Sequence, residues 1–354
     1  MISNKQISYV AFGLVIVAVS SYVGNYFRSF FTEMDAKDDY QMVRKYLLDE
    51  AALYGDKRPK LWIHNKYEVN AREWKNFGSR NSTDLNQPYL YITIQSIINH
   101  CGDDFHICLI DDETFERLIP TWDIDLTKTP EPMRSQYRDI GMMQLLYLYG
   151  GMTVPNSFLC LKSLKTLYDN HTEEDVPFVI EQRHQKVFSN LNFHSEPNTP
   201  FIPNIKMIGA KPKSPCIQEM IDVMTQKQQK GHYSSEIDFL GDIEQWCLSQ
   251  VRDDYMVMID GCTVGVKDEI GKPILLDNLM SDAYLPVKDS DLYGIYIPNE
   301  ELLQRPRYQW FAILPYNDAL KAKTILSKYM TASMVDCVQS YYDHKKASTS
   351  MIKI

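Results

Sequence analysis

The chain has 354 residues, of which 44% are hydrophobic and 23% charged, with 15 glycines and 17 prolines. That allows one large domain or two small ones with a sizeable core, and it argues against a disordered chain. A formal net charge of −9 argues against a nucleic-acid partner, because phosphate binding needs a basic surface.

From Ile7 to Phe27 the chain carries no charged side chain. As a helix this run is about 31 Å long, matching a bilayer core. Lys5 and Arg28 flank it, and Tyr9, Tyr22 and Tyr26 lie near its ends, where aromatic rings suit the membrane interface. We read residues 7–27 as a single-pass transmembrane anchor behind a short tail, 1–6. A cleaved signal peptide is the competing reading, with Ala18-Val19-Ser20 as the cut site, but the apolar run is long for one. The flanking charges give no orientation bias. The simplest arrangement puts the domain on the lumenal or exterior side, and the sequons Asn81-Ser82-Thr83 and Asn170-His171-Thr172 are compatible with it. Residues 28–57 read as a stem, with Tyr40, Val43, Leu47 and Tyr54 near heptad spacing. The domain follows over 58–330, and 331–354 reads as a helix end and polar tail.

Within the domain, Leu61 to His64 reads as a short strand. Asn86 and Pro88 open a helix whose stripe is Leu90, Ile94, Ile97 and Ile98, ended by Gly102. Phe105 to Ile110 is a buried strand that stops at Asp111-Asp112. Pro132 to Tyr149 predicts a helix apolar almost all round beyond Asp139, terminated by Gly150-Gly151. Met152 to Leu161 reads as one strand, with further strands at Phe178–Ile180 and Ile205–Ile208. Ser214-Pro215 opens a helix, Ser235 caps another ending near Trp246, and the chain from Asn317 reads as a last helix. Alternating strands and helices imply an α/β layered domain. None of the seven cysteines forms a Cys-x-x-Cys pair, so a zinc ribbon is not expected.

Three landmarks carry a family resemblance: Arg58-Pro59-Lys60-Leu61-Trp62, the run Phe105 to Glu113, and Arg138-Asp139 followed by Leu145 to Gly151. In this order they resemble the capsular polysaccharide synthesis proteins and the related family 32 glycosyltransferases, over about half the chain. The resemblance implies a GT-A-like nucleotide-diphospho-sugar transferase sheet with flanking helices. It implies a nucleotide-sugar donor and a glycan or protein acceptor as partners, and Mn²⁺ or Mg²⁺ as cofactor. In those families an acidic DXD pair follows Gly-Gly and holds the metal against the diphosphate. Here Pro155 and Ser157 occupy the acidic positions, and Met142 replaces the helix arginine. The expected metal ligands are therefore none, and any transfer is expected to be metal-independent, with Arg134 or Arg138 facing the diphosphate.

By the same resemblance Asp139 faces the nucleotide; as a plain helix carboxylate it would pair with Arg134 or Arg138. Asp111 and Asp112 contact uridine or ribose, or Asp112 caps the next helix, which we favour. His64 touches a base or is merely packed. Asn156 and Ser157 line the pocket, and Asp242 either deprotonates an acceptor or is a solvated helix carboxylate. Two functions follow: a membrane-anchored glycosyltransferase, or a catalytically inactive relative that binds glycans or serves as a structural partner.

The anchor yields a direct prediction. The full chain should remain in the membrane pellet after an alkaline carbonate wash, whereas a chain starting near Lys57 should stay in solution. Mature protein beginning near Ser21 would show a cleaved signal peptide instead.

Overall fold

A computed structural model describes residues 58–65, 87–184, 201–231, 233, 235–288 and 290–334. The expected anchor, stem and Asn81 sequon lie outside the described residues. Among the described residues no helix is long and apolar enough to cross a membrane.

Strand β1 (Lys60–His64) pairs in parallel with β2 (His106–Ile110) and with β3 (Gly151–Thr153). β3 pairs with β6 (Phe201–Ala210), which runs against its neighbours, and β6 pairs with β5 (Phe178–Arg183). β7 (Val257–Ile259) closes the order β2-β1-β3-β6-β5-β7, a mixed sheet that is mostly parallel.

β1 shows why the sheet is central. Leu61, Trp62 and Ile63 are all fully buried. Trp62 packs with one apolar cluster and its two neighbours with another, as expected of a strand covered on both faces. Helix α1 (Tyr89–Cys101) belongs to the Leu61 side, on which α4 (Lys165–Thr172) also packs, carrying the Asn170 sequon. On the Trp62 side lie α2 (Thr114–Leu118), α3 (Met133–Tyr149), α5 (Pro215–Lys230) and α6 (Glu236–Arg252). The predicted apolar helix is α3: Ile140, Met143, Leu145 and Leu146 are buried there.

The single strand expected over Met152–Leu161 is two strands. β3 ends at Thr153, and β4 (Phe158–Cys160) joins a separate two-stranded sheet with β8 (Gly294–Tyr296). Pro155 lies between them; it has no N–H for a ladder, and its carbonyl accepts from Phe158 N–H at 3.0 Å to close a turn. β4 alternates between two cores. Phe158 and Cys160 pack with the main sheet, and Leu159 packs with a third cluster holding Leu276, Ile295 and Phe311.

Other boundaries differ for local reasons. β5 and β6 run past the predicted apolar cores because their polar residues Gln182 and Asn204 are also buried. α6 does not stop at Trp246, since Cys247 and Gln250 continue its buried stripe. Ser235 caps α6 through Asp238 N–H. Ser214 sits before α5, but its hydroxyl makes no capping bond. Towards the end, α7 (Leu276–Leu279), α8 (Asn299–Gln304), α9 (Gln309–Ala312) and α10 (Tyr316–Lys321) precede a helix over residues 325–334.

Gly150 and Gly151 have φ of 67° and 102°. A Cβ on Gly151 would lie 2.0 Å from Lys60 O, and one on Gly150 2.6 Å from Pro212 Cδ. Trp62 Nε1–H donates to Gly150 O at 2.9 Å, which satisfies the buried indole and pins the turn. Gly151→Ala should therefore destabilise the fold by roughly 3 kcal/mol or more, combining backbone strain with a clash against main chain. Gly271→Ala is the control: its φ of 80° is strained, but nothing lies within 4 Å, so about 1 kcal/mol should be lost. Denaturant unfolding of both variants measures the difference.

Candidate functional site

A cavity of about 420 Å³ opens beyond the C-terminal ends of β1 and β3, where open α/β sheets bind ligands. Its floor is the loop 154–157 with His64 and Asn65. α3 supplies Arg138 and Asp139, β6 supplies Asn204 and Lys206, and α6 supplies Glu236 and Glu244. Tyr296, Glu300 and Glu301 form the far wall.

The loop is fixed from both sides. The Thr93 hydroxyl on α1 donates to the Asn156 carbonyl, and Asn156 Nδ2 donates to Asn65 Oδ1 at 3.3 Å. Thr153 bridges β3 to β6: its hydroxyl accepts from Ile208 N–H at 3.1 Å and donates to Ile208 O at 3.3 Å.

Asp112 does not cap α2: the residue before the helix is Glu113, which makes no side-chain capping bond, and Asp111 meets the first turn instead. Asp111 Oδ1 accepts from Thr114 N–H at 3.0 Å and from its hydroxyl at 2.6 Å. The reason is reach, because Asp112 is held by another partner. Arg138 clasps both Asp112 oxygens, Nε to Oδ1 at 2.7 Å and Nη2 to Oδ2 at 2.6 Å. His64 Nε2 lies 3.0 Å from Oδ1, and its ring stacks on Phe115. Burial would raise the Asp112 pKa, but the bonds from His64 and Arg138 outweigh it and hold the carboxyl well below the usual range. Arg138 also reaches Glu131 at 3.4 Å. Arg134 Nε donates to Thr129 O at 2.8 Å, and Arg134 is not among the cavity-lining residues.

The cation that projects among the carboxylates is Lys206. Its ammonium lies 2.7 Å from Glu236 and 3.8 Å from Glu300. Burial opposes its charge, yet Asp139, Glu236 and Glu300 overcome this and raise its pKa. Gln182 Nε2 donates to Glu244 Oε1 at 2.7 Å, and Arg183 pairs with Glu301. Burial pushes the Tyr296 phenol up to about 12. Asp242 lies at the rim, accepting from Lys227 at 3.0 Å and from the Tyr233 hydroxyl at 2.8 Å.

Of the residues singled out in the sequence, His64, Arg138, Asp139, Asn156, Ser157 and Asp242 line one cavity. Asp112 stands behind it through Arg138 and His64. Lys206, Asn204, Gln182, Glu236 and Glu244 were missed. A signal existed for two of them, since Asn204 and Lys206 lie in the segment Asn204 to Ala210 that extends the family resemblance.

The loop does not fit a divalent ion. Pro155 has no ligand atom and Ser157 offers one neutral oxygen, whereas Mn²⁺ and Mg²⁺ want anionic oxygens. Asp111 and Asp112 are each committed elsewhere. Among the described residues no three His, Cys, Asp or Glu side chains are gathered to hold a metal ion.

No family model matches this chain, and no curated protein matches it. Among solved structures it is similar to a "PaToxG Glycosyltransferase", with a TM-score of 0.30 and 11% identity, covering 65% of this chain and 83% of that one.

The clasp gives a pH-dependent prediction. A carboxyl whose pKa falls on folding stabilises the fold above its unfolded value of about 3.8, and that contribution is lost as pH drops through the folded value. Asp112→Asn should cost about 2–3 kcal/mol at pH 7, since it removes the carboxylate charge that faces both Arg138 and His64. The gap between variant and parent should narrow progressively below pH 3.8, as unfolding curves across pH would read.

Proposed function

We propose that this chain is a membrane-anchored, glycosyltransferase-like protein whose cavity takes the sugar of a nucleotide-sugar donor. The observation that carries the reading is the place and chemistry of the cavity. It lies at the carboxyl ends of parallel strands and is lined by the carboxamides Asn65, Asn156, Gln182 and Asn204 among carboxylates. Such a set meets hydroxyl groups pointing in several directions, since carboxylates accept and carboxamides both donate and accept. The sequence resemblance supports a donor of this class in the same place. In this reading Asp139 contacts the donor, Asp242 at the rim is the base that activates an acceptor hydroxyl, and transfer proceeds without a metal.

A second reading, glycan binding without transfer, is favoured by one specific feature. Six carboxylates line the cavity, Asp139, Glu236, Asp242, Glu244, Glu300 and Glu301, against the cations Arg138 and Lys206. Both cations already face carboxylates at 2.6–2.7 Å. A diphosphate entering here meets an excess of like charge, whereas a neutral oligosaccharide does not.

A thermal-shift panel separates the two. Binding to the folded state alone adds about 2.7 kcal/mol at a ligand concentration of 100 Kd. Nucleotide sugars should raise Tm with or without Mn²⁺, and Asp139→Asn should weaken them about tenfold, roughly 1.4 kcal/mol. A shift with neutral oligosaccharides alone supports the second reading. Silence from both ligand classes at millimolar concentration removes both.

A further inference from the structure

We propose that Cys101 and Cys160 form a disulfide that staples α1 to β4 behind the cavity loop. The two Sγ atoms are 3.7 Å apart, and both residues are fully buried. A disulfide needs about 2.05 Å, so closure requires a shift of under about 2 Å, within reach of side-chain rotation. Cys101 is the last residue of α1 and Cys160 the last of β4. The seam between them is already registered: Ser96 Oγ on α1 accepts from Cys160 N–H at 2.9 Å, and Ser333 Oγ donates to Cys160 O at 3.0 Å. One turn earlier on the same helix, Thr93 holds the Asn156 carbonyl. A covalent link at the end of this seam therefore bears on the loop that floors the cavity, whatever the cavity binds.

In the folded pair the two thiols are unequal. The hydrogen bond from Cys160 lowers the Cys101 pKa against the effect of burial, while burial raises that of Cys160. Oxidised glutathione, or another small disulfide, serves as oxidant. The Cys101 thiolate attacks one of its sulfurs and expels a glutathione thiolate. Cys160 then gives up its proton and attacks Cys101 Sγ, expelling the second glutathione. Two protein thiols become one disulfide, and the two electrons and two protons they give up appear in two glutathione thiols. Because both sulfurs are buried in the folded chain, exchange takes place while the chain folds, and the finished bond is then shielded. Such bonds persist in oxidising compartments.

The test is to refold the full chain in a glutathione redox buffer, quench free thiols by alkylation and map peptides without reduction. The expected result is one cross-linked pair holding Cys101 and Cys160, about 2 Da lighter than the two thiol peptides together. Tm should rise by roughly 5 °C or more over reduced protein, because the link closes a loop spanning 59 residues. The rise should vanish in Cys101→Ser and Cys160→Ala. Amide exchange at Asn156 and Ser157 should slow on oxidation. Recovery of both thiols alkylated, or oxidation confined to Cys216 and Cys247 on α5 and α6, overturns the disulfide. A mapped bond with unchanged exchange at Asn156 and Ser157 overturns its role behind the loop.

Discussion

Strand β3 can lie beside β1 only because position 151 has no side chain. At that point the two backbones approach so closely that a Cβ would overlap Lys60 O. The helix before it must also stop within one residue and reverse, which the positive φ of Gly150 achieves. The indole of Trp62 closes the arrangement from β1 by bonding the Gly150 carbonyl. Everything that floors the cavity follows in the chain from this junction. Thr153 ends the strand, Pro155 turns away from the sheet, and Asn156 reaches back to Asn65. A bulkier residue at the junction would displace the floor together with the strand.

Around that floor, charge is arranged in closed groups. Asp112 takes up the charge of Arg138, Glu236 and Glu300 take up that of Lys206, and Glu301 takes that of Arg183. Arginine recognises phosphate best when its fork is free to meet two oxygens, and the Arg138 fork is already filled by a carboxylate. The same pairing makes Arg138 a rigid wall rather than a mobile arm. What the cavity presents to a ligand is therefore a fixed polar surface with a negative balance.

Much of the scaffold was legible in the sequence because its signals are local. The apolar helix before Gly150-Gly151, the stripe of α1 and the Ser235 cap each depend on a few neighbouring residues, and each is present. The break at Pro155 carried its own signal, but the apolar residues on both sides read as one strand. The polar ends of β5 and β6 were hidden because alternation of apolar residues is the strand signal, and Gln182 and Asn204 are buried through tertiary contacts. The exchange of roles between Asp111 and Asp112 turns on Arg138, 26 residues further along the chain from Asp112. No spacing rule reveals which of two adjacent carboxylates an arginine will find. Lys206 was overlooked for a related reason: a single lysine in a strand is ordinary until Glu236 and Glu300 converge on it.

The alternation of β4 has a consequence for how the chain melts. Phe158 and Cys160 face the main sheet, while Leu159 between them sits in the cluster formed by Leu276, Ile295 and Phe311. Three consecutive residues thus belong to two hydrophobic cores. Neither core can expose its surface without dragging this strand away from the other. The C-terminal third is not a detachable appendage, and the wall it gives the cavity through Tyr296 and Glu300 persists as long as the sheet does. Unfolding couples the two halves into one cooperative unit, so partial opening of the binding face is confined to its loops.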